Sequence, residues 1–248
     1  MPTTEPDASS LIALIHADPK VGKTWLVATA PKPLLILDAE GGSKFLPQLR
    51  KVYWDPSQPP PPAGDWDVAI VQVTDYSQVV SATKWLGSGK HPFVSVAVDT
   101  LTEVQKRALD SIVGVNPDSS PDLQDWGRIF RHMETLVRSL RDIANSPINP
   151  LRCLVLTAHS TKIDGKLKPL VKGQLVQTLP GFPDVIGWLH TATDNGGKIV
   201  RRLTIQPILP HVLAGDRTHI LSQKLGADIE RPNLTRMLEI ISSGMENH

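Results

Sequence analysis

Short, nearly continuous apolar runs recur along the chain and predict buried β-strands. They cover residues 11–15, 34–37, 68–73, 93–98 and 151–157. Apolar runs of this kind, without alternating polar residues, are typical of parallel strands that are buried on both faces of a sheet. We therefore expect these runs to form a mostly parallel sheet.

Segments with helical spacing of apolar residues lie between or after these runs. The clearest is 123–143, in which apolar residues recur at steps of three or four. Shorter helical patterns cover 23–30, 76–86 and 234–241. Because buried strands alternate with amphipathic helices, the sequence predicts an α/β fold with a doubly wound, mostly parallel sheet.

Two regions depart from this alternation. Residues 55–62 are rich in proline, which blocks helix and ladder bonding, so we expect an extended surface loop and favour a stiff connector over a partner-binding segment. After Gly187, two apolar stretches flank a turn that contains Asn195-Gly196, which predicts a β-hairpin. We assign residues 1–10 to a disordered lead-in and residues 11–248 to a single domain with this hairpin as a C-terminal extension.

Composition limits the class of protein. A chain of 248 residues is long enough for one large α/β domain. Its net charge of +1 excludes a uniformly basic nucleic-acid binder but leaves a local basic segment open. The single cysteine, Cys153, cannot form an internal disulfide, which favours a reducing cytoplasm. No apolar run approaches the roughly 20 residues that a membrane-spanning helix needs, so we expect no membrane contact.

A phosphate-binding motif follows the first apolar run. Residues 17–24 match G-x-x-x-x-G-K-[ST] except at the first position, where Ala17 replaces glycine. In such loops the backbone N–H groups converge on phosphate oxygens, the lysine reaches the β- and γ-phosphates, and the hydroxyl ligates Mg²⁺. The motif predicts that Lys23 and Thr24 bind a nucleoside triphosphate with Mg²⁺. The expected nucleotide-binding residues are Ala17, Asp18, Pro19, Lys20, Val21, Gly22, Lys23, Thr24 and Trp25.

An acidic residue ends the apolar run at 93–98. Asp99 follows this run directly. Ligand sites in open α/β sheets gather at the carboxyl ends of strands, and nucleotide-hydrolysing folds place a second Mg²⁺-organising acid there. We favour organisation of Mg²⁺ by Thr24 and Asp99 over the alternative that Asp99 only caps a helix beginning near Thr100.

Two more acids follow the strand that is predicted at 34–37. Asp38 and Glu40 lie just past the end of this strand, where a carboxylate would face the γ-phosphate and activate the attacking water. Spacing favours Glu40 only slightly over Asp38, and both could be solvated loop acids.

A histidine and a lysine-rich segment follow the strand that is predicted at 151–157. His159 could contact the γ-phosphate and report its loss to the next segment; a loop histidine bonded to backbone is the alternative. Residues 160–173 combine lysines with glycine and proline and lack a helical period, which predicts a mobile loop that contacts a nucleic-acid backbone. The expected DNA-binding residues are Lys162, Lys166, Lys168 and Lys172.

Three arginines late in the chain could complete a transition-state charge in a neighbouring subunit. Arg201 and Arg202 are adjacent on a predicted strand and therefore face opposite sides. Arg217 is the third candidate, for which an ordinary surface arginine is the alternative.

Together these motifs resemble the RecA/RadA recombinase core, and in particular the small phage-encoded RecA-like ATPases of the Sak type, which are implicated in single-strand annealing and recombination. The resemblance covers roughly residues 11–220 and is carried by residues 19–24, 37–42, 98–99 and 157–159. The sequence departs from the family pattern at Ala17, where glycine is usual, and at His159, where RecA has glutamine.

The resemblance implies ATP and Mg²⁺ as cofactors and a role for several residues. Glu40 occupies the position of the water-activating glutamate, and His159 occupies that of the sensor. The segment from Ser160 to about Pro180 corresponds to the flexible DNA-binding loop. Arg217 corresponds to an arginine finger, which implies a homo-oligomeric ring or filament with ATP between protomers.

We therefore predict a cytoplasmic, DNA-stimulated ATP hydrolase that binds single-stranded DNA and promotes annealing or homologous recombination in phage replication. A single-strand-binding protein is a second candidate partner. The alternative hypothesis is a nucleotide-dependent adaptor or loader of a replication protein, with little hydrolysis of its own. A small-molecule kinase is disfavoured, since no arginine-rich lid segment is evident. The predicted catalytic residues are Glu40, Lys23, His159 and Arg217.

Overall fold

A computed structural model describes residues 10–116, 118 and 120–245 of the chain. The strands of this part are β1 (Leu11–Ala17), β2 (Leu34–Asp38), β3 (Lys51–Tyr53), β4 (Val68–Gln72), β5 (Ser95–Asp99), β6 (Cys153–Ile163), β7 (Lys166–Pro169), β8 (Val185–Thr193), β9 (Ile199–Thr204), β10 (Gly215–Asp216) and β11 (Asp228–Glu230). Its helices are α1 (Lys23–Val27), α2 (Tyr76–Gly87), α3 (Leu101–Val113), α4 (Leu123–Ala144), α5 (Leu175–Thr178), α6 (Ile220–Leu225) and α7 (Leu234–Met245). Short 3₁₀ helices cover Gly42–Phe45 and Leu179–Gly181.

The strands form one mixed, mostly parallel sheet. Its order is β11-β9-β8-β1-β6-β5-β2-β4-β3, with β10 beside β8 and β7 beside β6. The strands from β8 to β3 run parallel to one another, whereas β9, β10 and β11 add antiparallel pairs at one side. The predicted α/β fold with a C-terminal hairpin, β8–β9, is therefore confirmed.

Helices cover both faces of the sheet. On β1, Ile12 and Leu14 face the core cluster under α2, α3 and α4, whereas Leu11, Ala13 and Ile15 face the cluster under α1, α6 and α7. Both faces of the strand are thus buried, which explains why its residues are almost all apolar and do not alternate between apolar and polar.

The register brings several predicted site residues to one edge of the sheet. Asp38 at the end of β2 lies opposite Asp99 at the end of β5, and Ala17 at the end of β1 lies opposite His159 on β6. Because parallel strands end at the same edge, the loops after β1, β2 and β5 meet there, beside His159 of the longer strand β6.

The helix after the phosphate loop is shorter than predicted. The pattern predicted a helix over 23–30, but α1 ends at Val27, and the amides of Thr29 and Ala30 bond to carbonyls three residues earlier. Pro31 follows, and the residue before a proline is disfavoured in helical conformation. The predicted helices at 76–86, 123–143 and 234–241 are present as α2, α4 and α7.

The proline-rich segment 55–62 contains neither helix nor strand. Three tryptophans hold it: the indole N–H groups of Trp85, Trp54 and Trp66 donate to the carbonyls of Pro56, Gln58 and Pro62 at 3.1, 3.1 and 3.0 Å. These bonds fix a segment that has few backbone donors of its own, as a stiff connector requires.

The lysine-rich segment is a β-hairpin and not the mobile loop that its composition predicted. β6 continues to Ile163 and pairs with β7 around a turn in which Asp164 and Gly165 have φ of 51° and 77°. Positive φ at both central residues is the geometry of a type I′ turn, which Asp-Gly favours. Residues 175–181 then form α5 and a 3₁₀ turn, so most of the predicted 160–180 loop has regular structure.

The predicted lead-in lies almost entirely outside the residues that the structure describes. The disordered lead-in was assigned to residues 1–10, of which residues 1–9 lie outside the described part, and Ser10 precedes β1 without regular structure. Within the described part, no helix combines the length and the apolar character needed to cross a membrane.

Candidate functional site

The loop between β1 and α1 has the backbone of a phosphate-binding loop. Lys20 and Gly22 both have positive φ, 66° and 111°, and Gly22 immediately precedes α1. Alternation of such conformations turns successive N–H groups toward a common point, where they bind anions. Ala17, in contrast, is a paired β1 residue opposite His159, so its extended backbone does not require the glycine that the motif usually places there.

Lys23 points into this edge of the sheet and is almost fully buried. Its ammonium lies 3.1 Å from Nδ1 of His159. It also makes two longer, weaker hydrogen bonds to loop carbonyls, at 3.4 Å to Asp18 O and 3.5 Å to Ala17 O. Burial lowers the pKa of Lys23, while the nearby carboxylates, led by Glu40, act in the opposite direction. A phosphate group would supply the negative charge that favours the protonated amine.

Thr24 and Asp99 form a pair of oxygen donors beside Lys23. The Thr24 hydroxyl donates to Oδ2 of Asp99 at 2.6 Å, and the Thr157 hydroxyl donates to Oδ1 at 2.5 Å. Burial raises the pKa of Asp99, and these two hydrogen bonds oppose that shift. The following peptide, Asp99–Thr100, is cis.

This donor set fits Mg²⁺ carried by a nucleotide. Mg²⁺ prefers hard oxygen ligands and commonly binds one or two protein groups together with phosphate oxygens and water. Thr24 and Asp99 supply such a pair. Among the described residues there is no cluster of three or more His, Cys, Asp or Glu side chains that could hold a metal by themselves. The predicted roles of both residues are therefore compatible with their placement.

The structure separates the roles of Asp38 and Glu40. The buried Asp38 carboxylate accepts hydrogen bonds from the backbone amides of residues 40–43 and from the Ser43 hydroxyl. It organises the turn and has no capacity left for a proton transfer. Glu40 stands on this turn with a third of its side chain exposed, and Oε1 accepts a hydrogen bond from the Thr100 hydroxyl at 2.8 Å. Geometry therefore favours Glu40 as the carboxylate that can face a substrate.

His159 connects Lys23 to Glu40. Its Nδ1 faces the Lys23 ammonium, and its Nε2 lies 2.6 Å from Oε1 of Glu40. Because a lysine ammonium can only donate, Nδ1 must be the acceptor, and Nε2 must carry the proton that is donated to Glu40. The three predicted catalytic residues of this edge thus form one hydrogen-bonded chain, Lys23–His159–Glu40.

A second set of hydrogen bonds links His159 to the strand that returns from the hairpin. The Thr102 hydroxyl accepts from the His159 amide at 3.0 Å and donates to the Leu170 carbonyl at 2.8 Å, and the Leu170 amide donates to the His159 carbonyl at 2.6 Å. The Gln105 side chain makes two hydrogen bonds with the backbone of Lys172: its Nε2 donates to the carbonyl, and its Oε1 accepts from the amide. A shift of the His159 backbone would therefore act directly on Leu170.

The four predicted DNA-binding lysines do not share one face. In the β6–β7 register Lys162 pairs with Leu167, whereas Lys166 and Lys168 pair with Ile163 and Thr161, so Lys166 and Lys168 lie on the side opposite Lys162. Lys172 lies beyond the hairpin, and its ammonium is 5.7 Å from the ring centroid of Trp126 on α4.

Arg201 of the β8–β9 hairpin reaches the phosphate loop of its own chain. Its Nε donates to the Val21 carbonyl at 2.9 Å, and its guanidinium lies 6.0 Å from the Trp25 ring centroid. A Cβ at Gly22 would collide with the Arg201 side chain, which adds a packing reason for this glycine. A cavity of about 560 Å³ opens beside this contact. Its walls include Lys20, Val21, Trp25, Thr29, Arg201 and Arg231.

Arg202 and Arg217 lie away from this site in the same chain. Arg202 pairs with Asp228 at 3.0 Å and Glu230 at 2.8 Å on the other face of the hairpin. Arg217 follows β10, which pairs with the amino-terminal end of β8. That end lies at the opposite edge of the sheet from the phosphate loop. The Arg217 guanidinium is largely exposed and donates to the Gly181 carbonyl at 3.0 Å.

His16 is a fully buried residue of β1 that sequence reasoning did not single out. One ring nitrogen, Nε2, lies 2.8 Å from the Leu213 carbonyl, which can only accept, so Nε2 carries a proton. The other, Nδ1, lies 2.9 Å from the Ser160 hydroxyl, which donates to it in the neutral ring. Burial lowers the pKa of His16 to about 4, against a smaller opposing effect of the bond to Leu213. His16 thus joins the strand before the phosphate loop to the hairpin.

We expect His16 to make the fold sensitive to mild acid. The unfolded chain takes up this proton near pH 6.5 and the folded chain only near pH 4, so between these values the unfolded state holds more protons and stability falls as the pH falls. From pH 7 to pH 5 the loss is about 2 kcal/mol. Urea unfolding of wild type and His16→Gln at both pH values measures it.

The matched control for this prediction is His132→Gln, which changes an exposed histidine on α4. Between pH 7 and pH 5, the free energy of unfolding should fall as much in the control as in wild type. In His16→Gln this fall should be smaller by about 2 kcal/mol, even if the variant is less stable at pH 7. An equal pH dependence in all three proteins would contradict the assignment.

Several residues of the site had no signal in the sequence. Thr100, Thr102 and Thr157 hold Glu40, His159 and Asp99, but threonines near strand ends are common and their partners lie on other strands. Arg201 contacts Val21 across 180 positions of the chain, so only the fold reveals the contact.

Comparisons with known proteins identify a family for most of the chain. The sequence profile of AAA_24, an AAA domain, matches residues 9–218. No curated protein matches the chain. Among solved structures, the chain is similar to the crystal structure of the KaiC-like protein PH0186 from the hyperthermophilic archaeon Pyrococcus horikoshii OT3. That similarity has a TM-score of 0.42 and 12% sequence identity, over 90% of this chain and 89% of that chain.

Proposed function

Because the chain belongs to the AAA_24 family of AAA-type ATPases, we propose that it hydrolyses ATP with Mg²⁺ in a reaction coupled to binding of single-stranded DNA. The observation that carries this proposal is the hydrogen-bonded chain Lys23–His159–Glu40 beside the Thr24–Asp99 pair. It combines a phosphate-binding cation, a metal-binding pair and a carboxylate base at one edge of the sheet.

Nucleotide binding uses the loop, Lys23 and the cavity beside Trp25. The loop amides and the Lys23 ammonium hold the phosphates, while Thr24 and Asp99 hold Mg²⁺, which neutralises charge on the phosphate oxygens. The nucleoside occupies the cavity of about 560 Å³, where Trp25 offers an aromatic face and Arg201 a planar cation.

For hydrolysis, Glu40 must lose its hydrogen bond from His159 and accept one from water instead. Oε1 of Glu40 accepts hydrogen bonds from Thr100 and from His159. A γ-phosphate accepts the same Nε2 proton of His159, which leaves Glu40 held by Thr100 alone and able to accept a proton from water. His159 thereby senses the phosphate, and the bonds through Thr102 to Leu170 carry its position to the hairpin.

DNA binding at the hairpin is supported by Lys166 and Lys168, which share one face of β7, the strand that pairs with the end of the His159-containing strand β6. Such paired cations suit contact with a phosphate backbone without sequence preference. The biological role we propose is annealing or homologous recombination in phage replication, with a single-strand-binding protein as a further partner.

An oligomer with ATP between protomers gives Arg217 a role. In its own chain this arginine lies at the opposite edge of the sheet from the phosphate loop and is 60% exposed. An exposed guanidinium on the far side of a protomer is suited to reach the nucleotide of a neighbour, where it would stabilise transition-state charge.

The hairpin lysines provide the test of DNA coupling. We expect oligo(dT) to stimulate ATP hydrolysis by the wild-type protein. The Lys166→Gln/Lys168→Gln variant should show less stimulation, and the slope of log affinity against log salt should fall by about 1.4, since each single-strand phosphate contact contributes roughly 0.7. ATPase assays and anisotropy of labelled oligo(dT) at several salt concentrations measure both.

The matched control is Lys84→Gln/Lys90→Gln, which removes two exposed lysines in and just after α2. It should leave slope and stimulation unchanged. If the hairpin variant also leaves the slope unchanged, the hairpin is not the DNA contact. ATP binding without hydrolysis or DNA binding would instead favour the adaptor or loader.

A further inference from the structure

Two exposed aromatic side chains lie in the segment that follows the turn with Glu40 and continues into β3. In the described part of the chain, the large exposed aromatic residues are Trp25, Phe45 and Tyr53. Trp25 belongs to the nucleotide cavity. Phe45 and Tyr53 are 65% and 58% exposed and have no place in the site described above. Aromatic rings this exposed need a reason, because their burial is normally favourable.

Phe45 and Tyr53 belong to one surface. Lys51 and Tyr53 occupy alternate positions of β3 and therefore share a face, while Val52 between them packs against the core cluster on the other face. The Lys51 ammonium donates to the Lys44 carbonyl at 3.2 Å, which joins this face of β3 to the 3₁₀ turn that ends at Phe45. We call the four residues Lys44, Phe45, Lys51 and Tyr53 the aromatic-basic patch.

The charge of this patch is positive. The Lys44 ammonium lies 5.0 Å from the Phe45 ring centroid, and that of Lys51 touches the peptide before Phe45. Nearby, Arg50 pairs with Asp65 and Asp67, so these acids are already engaged by a cation outside the patch. Rings that alternate with ammonium groups suit a ligand with flat faces and a phosphate backbone.

We propose that the aromatic-basic patch is a second contact for single-stranded DNA, in which bases stack on Phe45 and Tyr53 and the lysines contact phosphates. A strand of another protein chain is the less suitable occupant, because β3 has only three residues and carries Lys51. Short edge strands with lysine oppose strand addition. The inference rests on the proposed function, since it assigns a surface to the same ligand.

The aromatic-basic patch is connected to Glu40 through the turn of residues 40–43 and the 3₁₀ helix that ends at Phe45. Asp38 binds the amides of residues 40–43, so the turn from Glu40 to Ser43 moves as one piece, and Phe45 ends the 3₁₀ helix that begins within it. Gly42 packs against the Thr24 hydroxyl, where a Cβ would collide. DNA on Phe45 would therefore act on the turn that carries Glu40 and packs against Thr24.

The test separates stacking from charge. Anisotropy of labelled oligo(dT) should show that Phe45→Ala/Tyr53→Ala binds at least about 30-fold more weakly than wild type, with an unchanged salt slope, because stacking releases no counterions. Lys44→Gln/Lys51→Gln should lower the slope by about 1.4. The conservative variant Phe45→Tyr/Tyr53→Phe should bind like wild type, since it keeps both rings.

The control variant Leu123→Ala/Ile148→Ala removes two even more exposed apolar side chains at other positions, and it should bind oligo(dT) like wild type. If wild type binds oligo(dT) and the alanine variant of the patch binds as tightly, the patch is not a DNA contact although the proposed function stands. If wild type does not bind oligo(dT), the proposed function fails, and this inference with it. If mass photometry shows that the alanine variant loses an oligomer while its affinity per protomer is unchanged, the patch is a subunit contact.

Discussion

Glu40→Gln is expected to lower the rate of ATP hydrolysis by roughly 10²- to 10⁴-fold, the range that a positioned general base contributes. The amide keeps an oxygen that can accept the hydrogen bond from Thr100, so the turn should hold its shape. It cannot take a proton from water. ATP binding should persist, because the loop, Lys23 and the Thr24–Asp99 pair remain. Single-turnover hydrolysis and binding of a fluorescent ATP analogue measure the two properties separately.

The matched control for Glu40→Gln is Glu134→Gln, which replaces a glutamate on α4 that pairs with Arg138 at 2.9 Å. Loss of one exposed pair of this kind costs little stability, so hydrolysis should stay at the wild-type rate. Hydrolysis by Glu40→Gln within threefold of wild type would show that another group activates water. Asp38 is not that group, since all its hydrogen bonds go to the turn.

The positions of Asp99, Glu40 and His159 could be predicted because they depend on a simple rule. Each follows a buried apolar run, and parallel strands end at the same edge, so the three were expected together and lie together. The choice between Asp38 and Glu40 could not be made from spacing. It depends on which carboxylate the backbone amides of the turn enclose, and this is set by the path of the chain after β2.

The hairpin at residues 160–169 was predictable and was missed. Asp164-Gly165 is a type I′ signal, and polar and apolar residues alternate after it from Lys166 to Pro169, but the number of lysines favoured the interpretation as a loop. The contact of Arg201 with the phosphate loop is different in kind. It arises because the β8–β9 hairpin extends beyond the edge of β1, which local sequence does not encode.

The two surfaces that we propose to bind DNA are connected to opposite ends of one hydrogen bond, the one between His159 and Glu40. His159 is joined through Thr102 to Leu170, just after the hairpin, and Glu40 stands on the turn that leads to Phe45. The bond between His159 and Glu40 connects the two halves. In the function we propose, a γ-phosphate that breaks this bond would act on both surfaces at once, and by linkage DNA bound at either surface would change the affinity for the phosphate.

Lys23→Met is expected to lower ATP affinity by at least about 100-fold and to abolish measurable hydrolysis. The ammonium would make charge-assisted hydrogen bonds to two phosphates, each worth roughly 1.5–3 kcal/mol, and methionine makes none. The side chain is buried and its pKa is lowered by that burial, so an apolar chain of similar length should be accepted without ATP. ATP with Mg²⁺ should raise the melting temperature of wild type but not of the variant, since only a bound ligand stabilises the fold.

The control for Lys23→Met is Lys106→Met, which changes a largely exposed lysine on α3. Its melting temperature should rise with ATP as in wild type, and the circular dichroism of both variants without ATP should match wild type. If Lys23→Met were stabilised by ATP to the same extent as wild type, the loop after β1 would not be the phosphate site. Because Thr24, Asp99 and His159 are arranged around this ammonium, the assignment of the whole edge would then fail with it.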